Sequence, residues 1–504
     1  MSTVRSWTDA EAVRAVRDTG ALLRFRLAGR SRRRPALAVG VLVAATLAAA
    51  AVPALLPEQA LSRDEAARAM PAVYLSLLLV AVLSAVSSGG GRELLARDQA
   101  VALPVSPATD HLGALLLAPL NIAWLTQAWA LLAGTSYVVG AGPRLPAALL
   151  VPTAWLVVAT AAAQAVAWAV EWLGRGPHGT LLVRLTGGLV VAAAAGPVLT
   201  GTAGAVLGHS PAIAVARAAS RGGGRAWLTV AVLAALAAVL VPAGAALAAR
   251  AARRAARAEL RAETAVHPAR ANPVTDLAAL VRVDRAGIWR SVPMRRGAFV
   301  LAAFPGLVAL VGSFAWQSLA IVPGLVASGG ALLFGVNAWC LDGRGALWRD
   351  SLPVPPRTVL ASRALVLTEI LLASSLFTLG LAALRAGRPA PGQLVAVLGA
   401  VLVVSVQVVA TALRWSVRHP FPVDLRSARA TPAPPLAMVG YSARLAVTTT
   451  LTCLSFELVG ALAWWWTPVL ATPYLAWSLA KLARTSSAWS DPVTRSRVVA
   501  TVAG

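Results

Sequence analysis

The sequence has 504 residues, of which 58% are hydrophobic and only 13% charged, and its mean hydropathy is +0.71. Soluble domains are about a quarter charged, so this composition excludes an ordinary soluble enzyme and indicates a membrane protein. The formal charge of +25 comes almost entirely from arginine, a bias typical of GC-rich coding. Because the basic residues flank apolar segments and no soluble domain carries a groove, they favour membrane topology over nucleic-acid binding.

Twelve apolar segments follow one another along the chain and predict membrane-spanning helices. Helix is the only plausible form, because lipid-exposed backbone must satisfy its hydrogen bonds within the segment. The expected fold class is therefore an all-α polytopic membrane protein. The segments lie at about 35–56, 70–88, 111–134, 146–170, 185–208, 226–249, 297–316, 319–340, 359–384, 392–413, 441–463 and 465–482.

The positive charges predict how these segments are oriented. If the N-terminus is cytoplasmic, the outside segments hold only eight of the 45 Lys and Arg residues. This asymmetry favours both termini on the cytoplasmic side of the cytoplasmic membrane. Three of the eight are clustered and fit poorly, which predicts either a short outside helix or a different course of the chain there. The eight are Arg63, Arg68, Arg144, Arg385, Arg388 and the clustered Arg217, Arg221 and Arg225.

The chain is predicted to contain two halves of the same design. Each half begins with a basic helix on the inner membrane surface, the second one capped by Thr275 or Asp276. Since each half has an even number of crossings, the repeats would be parallel. The expected regions are a surface helix and linker at 1–34, a six-span repeat at 35–249, a basic linker with the second surface helix at 250–296, a second six-span repeat at 297–482 and a cytoplasmic tail at 483–504.

Two charged, proline-ended segments occupy the same point of each half, after its second span. Residues 91–107 read GRELLARDQAVALPVSP, and residues 343–356 read GRGALWRDSLPVPP. The residues from Gly91 to Asp98 align without a gap with those from Gly343 to Asp350, and Gly, Arg, Leu, Arg and Asp are identical. After a three-residue deletion, Leu-Pro-Val and the last Pro of each segment also match. GRELLARD in the first segment can form a short helix, which proline then stops before the next span. A plain stop to the preceding span needs charge but no fixed residue order, so the repetition favours a specific role.

This layout resembles the permeases of type-2 ABC exporters, in which a cytoplasmic coupling segment between the second and third spans docks on an ATPase subunit. The arrangement of spans is similar over the whole chain, but the sequence motif is similar only in the two charged segments. It implies export of a hydrophobic or amphipathic substrate, driven by separate ATPase subunits. Because the chain is double length, either one chain supplies both halves or two chains form a homodimer. The docking residues that the resemblance implies are Arg92, Glu93, Arg97, Asp98, Pro104, Arg344, Arg349, Asp350 and Pro353.

The sequence predicts no catalytic function for this chain. A P-loop needs a lysine followed by Ser or Thr, whereas the only lysine, Lys481, is followed by Leu482. ATP and Mg²⁺ would therefore be bound by a partner ATPase. No cofactor or metal site is expected, because the histidines form no metal-type pair and the two cysteines lie in apolar runs.

Polar residues within the apolar segments are candidates for a substrate pathway, because ionisable groups in lipid are costly and retained for function. They are Glu369, Glu457, Asn121, Gln127 and Asn337. The alternative is a structural role, in helix–helix hydrogen bonds or in pairing with an arginine near a span end. Two other functions stay open, an ion-coupled secondary transporter and a non-transporting membrane assembly protein.

Overall fold

The computed structural model describes residues 9–28, 33–57, 62–87, 105–118, 122–254, 271–311, 314–330, 335–343, 345–422, 433 and 435–504. All regular structure in these ranges is helical, in agreement with the predicted all-α class, and none of it is strand. The chain divides into two compact units, Met1–Ala258 and Glu259–Gly504. The division falls within the basic linker predicted at 250–296.

The first unit has ten helices in its described residues. The first of them lies where the N-terminal surface helix was predicted. In chain order they are α1 (Asp9–Ala28), α2 (Arg33–Ala51), α3 (Arg63–Ser87), α4 (Pro107–Leu117), α5 (Ile122–Val139), α6 (Leu145–Gly174), α7 (Gly179–Leu199), α8 (Ala203–Gly208), α9 (Pro211–Arg221) and α10 (Gly223–Ala252).

The second unit has nine helices in its described residues. Its first helix is capped by Thr275, whose side chain accepts a hydrogen bond from the backbone N–H of Ala278 at 3.2 Å. In chain order they are α11 (Asp276–Arg290), α12 (Val292–Val311), α13 (Val322–Gly330), α14 (Gly345–Asp350), α15 (Pro356–Ala383), α16 (Pro391–Arg418), α17 (Pro435–Gly460), α18 (Trp466–Ser490) and α19 (Pro492–Ala503).

Four of these helices, α6, α10, α15 and α16, are long and apolar enough to cross a membrane. Each has 28 or 30 residues, which exceeds the roughly 20 that the hydrocarbon core of a bilayer requires. Shorter apolar helical stretches occur as well, and they cover parts of other predicted spans. The chain thus has the character of a helical membrane protein. The shorter stretches are Leu42–Leu55, Gly297–Leu307, Ser318–Ala327 and Val447–Gly460.

The apolar segment predicted as a span at 319–340 is not one continuous helix. Its described part contains the 3₁₀ turn Ser318–Ile321, helix α13 and a series of turns at 338–343. Two features of the sequence disfavour continued helix. Glycine weakens a helix at 329, 330 and 335, and the side chain of Asn337 accepts a hydrogen bond from the backbone N–H of Trp339 at 3.3 Å.

The core of the first unit forms around α6, which contacts α3, α5, α9 and α10. Trp155 of α6 donates a hydrogen bond from Nε1 to the backbone oxygen of Tyr74 at 3.1 Å, and the two rings meet edge to face. Helix α9 covers this core with alanine and valine and leaves Arg217 and Arg221 exposed. Arg217 and Arg221 therefore lie on a short amphipathic helix, whereas Arg225, the third discordant arginine, lies in the first turn of α10.

Close approach of α12 and α15 shapes the second unit. At Gly306 of α12, a Cβ atom would lie 2.8 Å from the backbone oxygen of Thr378 on α15. The hydroxyl of Thr378 donates a hydrogen bond to the backbone oxygen of Ala302 at 2.6 Å. Small residues with interhelical hydrogen bonds are the usual means of packing helices in membranes. Helix α15, which follows the second charged segment, is thereby held against α12 near its C-terminal end.

Candidate functional site

The second charged segment forms a compact connection between α13 and α15. Its residues turn at 338–343, where Gly343 has a φ of 46°, and then form the short helix α14. This φ lies in the left-handed region, which glycine adopts at little cost. The prolines that follow stop the helix, and Pro356 begins α15 in the first-turn position that proline favours. A short helix ended by proline is thus present in this segment.

A cluster of four charged side chains, three of them buried and Asp342 nearly so, holds α14 in place. Arg349 donates from Nη2 to Asp284 Oδ1 at 2.7 Å and from Nη1 to Asp342 Oδ1 at 2.8 Å. Arg363 of α15 binds Asp342 Oδ2 at 2.7 Å and lies 3.2 Å from Asp284 Oδ1. The hydroxyl of Ser362 donates to the other oxygen of Asp284 at 3.0 Å. The two guanidinium groups and two carboxylates give the cluster no net charge. This matters because an uncompensated buried charge is strongly destabilising.

The cluster joins three helices that are separate in sequence. Asp284 comes from the surface helix α11, Arg349 from α14 and Arg363 from the membrane-type helix α15. The side chains of Asp284 and Arg363 are each only 2% exposed, so both are removed from water. Because a buried charge without its partner is strongly unfavourable, a movement of α14 must move α11 and α15 with it.

Aromatic side chains close one side of this cluster. The guanidinium carbon of Arg363 lies 5.3 Å from the ring centre of Trp339, within the range of a cation–π contact. Trp339 in turn stacks on Trp489 of α18, with ring centres 4.3 Å apart and planes at 12°. The charged segment is therefore attached to the end of α18 as well.

A cleft of about 330 Å³ separates the charged segment from the C-terminal helix α19. At its edge, Arg495 of α19 donates from Nε to Asp350 at 2.8 Å. Asp491 caps α19 by accepting hydrogen bonds from the hydroxyl of Thr494 at 2.6 Å and from its backbone N–H at 3.0 Å. These bonds hold the pKa of the Asp491 carboxyl below its usual value. Helix α19 thus packs against α14, and the ion pair between Arg495 and Asp350 is one of the contacts between them.

The face of α14 that points away from the cluster is apolar and exposed. Leu347 is 58% exposed and Trp348 is 62% exposed. An exposed tryptophan on a firmly held helix is a typical anchor of protein–protein interfaces, and Leu347 extends its apolar surface. The arrangement can present a fixed apolar contact to a partner and transmit its movement to α15.

The predicted docking residues differ in their positions. Arg349 is buried in the charge cluster, Asp350 is exposed and paired with Arg495, and Pro353 is exposed at the cleft. The others lie outside the described residues, namely Arg92, Glu93, Arg97, Asp98, Pro104 and Arg344.

The predicted pathway residues are not joined to one another by hydrogen bonds in the described residues. Glu369 is half-exposed and forms a bidentate ion pair with Arg285 of α11, in which Arg285 Nε lies 2.9 Å from Oε2. The hydrogen bond from this carboxylate raises the pKa of Arg285 above its ordinary value. The pair matches the structural alternative considered for Glu369, pairing with an arginine near a span end.

The remaining pathway candidates occupy separate places. Asn337 is fully buried and donates from Nδ2 to the backbone oxygen of Phe421 at 2.8 Å, so it fastens the turn to the end of α16. Glu457 of α17 and Gln127 of α5 are partly buried. Asn121 lies outside the described residues.

Reasoning from sequence missed the residues that complete the charge cluster, Asp284, Asp342 and Arg363. One signal was available, because only 20 residues are acidic, and an acid in such a basic chain is a probable partner for a buried arginine. Arg363 was also an arginine inside an apolar segment. Within the described ranges, no group of three or more His, Cys, Asp and Glu side chains converges as a metal site requires.

Comparison with protein-family models, with curated proteins and with solved structures found no match to this chain.

Proposed function

We propose that this chain is the membrane permease subunit of an ABC-type exporter, and that a separate ATPase drives it. The observation that carries the proposal is the geometry of α14. Its charged side is buried between α11 and α15, while Leu347 and Trp348 face outward. An ATPase that binds this apolar face would pull on α15 through the charge cluster, which is the mechanical task of a coupling segment.

The packing order within each unit supports the proposed division into two parallel repeats. In the first unit α1 packs on α4, α2 on α5, α5 on α6 and α6 on α10. In the second, α11 and α12 pack on α15, α15 on α16 and α16 on α18. If α4 and α5 together correspond to α15, the two orders agree. The aligned Pro107 and Pro356 also begin α4 and α15.

In this proposal both termini are cytoplasmic and the segment at 91–107 serves as the second docking site. The absence of a P-loop from the sequence agrees with an ATPase on a separate polypeptide. The apolar helices favour a hydrophobic or amphipathic substrate, moved across the cytoplasmic membrane. The bundle is formed either by one chain, which supplies both halves, or by a homodimer.

The test is co-purification of the full chain with the P-loop ATPase expected from a neighbouring gene. The double variant Leu347→Ala/Trp348→Ala should weaken the complex about tenfold or more, because it removes the exposed anchors without touching the charge cluster. Trp464→Ala is the matched control. Trp464 is 58% exposed but lies in the connection between α17 and α18, outside the charged segment. Unchanged binding of the double variant would contradict the docking role. Transport that needs no ATPase and collapses with the proton gradient would indicate the secondary transporter instead.

A further inference from the structure

Five basic side chains gather where α16, α17 and α18 meet. Arg414 and Arg418 lie in the last turns of α16, Arg444 lies near the start of α17, and Lys481 and Arg484 are one turn apart on α18. Lys481 lies within Coulombic range of all four arginines. These elements are adjacent in the fold, because α16, α17 and α18 contact one another.

No carboxylate of the described residues forms a salt bridge with these five charges. The buried Arg349 and Arg363 of the same unit, by contrast, are each paired with two aspartates. Like charges held together at a membrane surface repel one another and cost free energy. An anion bound among them would relieve this repulsion.

The cluster also contains N–H groups that can donate hydrogen bonds to a ligand. Lys481 uses one of its three N–H groups on the hydroxyl of Thr411 at 2.8 Å, and Arg414 and Arg444 donate to no protein group in the described residues. Two further donors on these helices have no partner there, Nε1 of the partly buried Trp415 and Oη of the buried Tyr441. Their rings lie 5.3 Å apart, on the same two helices as Arg414 and Arg444.

An exposed apolar stripe runs along α17 from this cluster. Val447, Leu451 and Leu458 follow Arg444 at helical spacing on one face, and they are 61%, 59% and 74% exposed. On α18, the ring of Trp477 lies one turn before Lys481 and next to Arg484, as interfacial aromatic residues do. A cationic head next to an apolar stripe fits an amphiphile better than a free ion, because the acyl chain gains the stripe as a binding surface.

We infer that this cluster, defined by Arg414, Arg418, Arg444, Lys481 and Arg484, binds the phosphate group of an anionic phospholipid. The phosphate accepts hydrogen bonds from the free guanidinium and ammonium donors, and an acyl chain lies along the stripe on α17. Basic pockets between membrane helices are known to hold such head groups. The inference needs only the membrane character of the helices, and it does not depend on an ATPase partner.

Native mass spectrometry of the purified, delipidated full chain tests this site. Phosphatidylglycerol should be retained more tightly than phosphatidylcholine, and millimolar inorganic phosphate should not displace it. The variant Arg444→Gln/Lys481→Gln should weaken phosphatidylglycerol binding roughly tenfold, since each removed cation contributes to attraction of the head group. The matched control is Arg385→Gln/Arg388→Gln, which removes two exposed arginines from the connection between α15 and α16.

Three results would overturn the inference. They are equal binding of the two lipids, equal loss in the control variant, and full displacement by inorganic phosphate, which would identify a soluble phosphate ligand. Lys481→Arg keeps the charge and should keep the lipid. If Arg444→Gln/Lys481→Gln loses its helical circular dichroism, Arg414→Gln/Arg418→Gln replaces it, because Arg418 is exposed at the end of α16.

Discussion

Arg349 Nη2 lies 2.7 Å from Asp284 Oδ1, and both side chains are almost completely buried. The two residues are far apart in sequence and belong to the surface helix α11 and the short helix α14. The pair turns the charged segment from a loop between apolar helices into a rigid part of the second unit. The exposed residues on the other face of α14 are therefore the ones that the proposed docking would use.

Loss of one charge from the cluster should destabilise the second unit strongly. Asp284→Asn leaves Arg349 and Arg363 with a single carboxylate, and we expect the free energy of unfolding to fall by about 3–5 kcal/mol. Tryptophan fluorescence during thermal unfolding in detergent measures the change. The control is Asp350→Asn, whose partner Arg495 is partly exposed, and it should cost at most about 1 kcal/mol. Equal effects of the two variants would show that the cluster does not anchor α14.

The stack of Trp339 on Trp489 should govern how firmly α19 is held. Trp489→Ala removes a buried ring at the end of α18, and the expected cost is about 3–5 kcal/mol. The C-terminal helix should then become accessible to limited proteolysis after Arg495 or Arg497. Trp477→Ala removes an equally large but exposed ring from the same helix, so it should leave cleavage unchanged. Protection that survives Trp489→Ala would contradict this attachment.

The cap of α19 should make this helix sensitive to acid. The hydrogen bonds from Thr494 lower the pKa of Asp491 in the folded state, so the cap contributes its full stabilisation above the ordinary carboxyl pKa. The contribution is lost as the pH falls through the lowered value, below about pH 4. Hydrogen exchange of the α19 amides should therefore accelerate only in that acidic range. Asp491→Asn keeps an effective cap and should remove the acceleration. An unchanged pH profile in this variant would rule out the carboxylate as its cause.

The approach of α12 and α15 should make Gly306 intolerant of larger residues. Gly306→Val places side-chain atoms against the backbone oxygen of Thr378, and we expect a loss of about 1–3 kcal/mol from overpacking. The matched change Gly380→Ala lies on α15, where a Cβ atom meets nothing within 4 Å. It should stabilise the helix by about 0.5–1 kcal/mol, because alanine is the better helix former. Opposite signs for the two thermal shifts would support the packing, and a tolerated valine would contradict it.

The helical class and the short helix at 345–350 were predictable from the sequence. Uninterrupted apolar segments admit one backbone form in lipid, and proline after GALWRD sets where a short helix must stop. The cap at Thr275 followed from local chemistry of the same kind. The span expected at 319–340 was wrong as a continuous helix, since hydropathy does not register the cost of several glycines or the competing bond of Asn337.

The sequence by itself determined the features that depend on neighbouring residues: apolar helices, their prolines and caps, and the recurrence of one charged segment. Only the tertiary structure decided which charges are buried in ion pairs and which lie among like charges. Arg349 and Arg414 look alike in sequence, yet one lies between two aspartates and the other among four cations. The difference arises because charge pairing depends on distance in space, and residues brought together from separate helices leave no regular spacing in the chain.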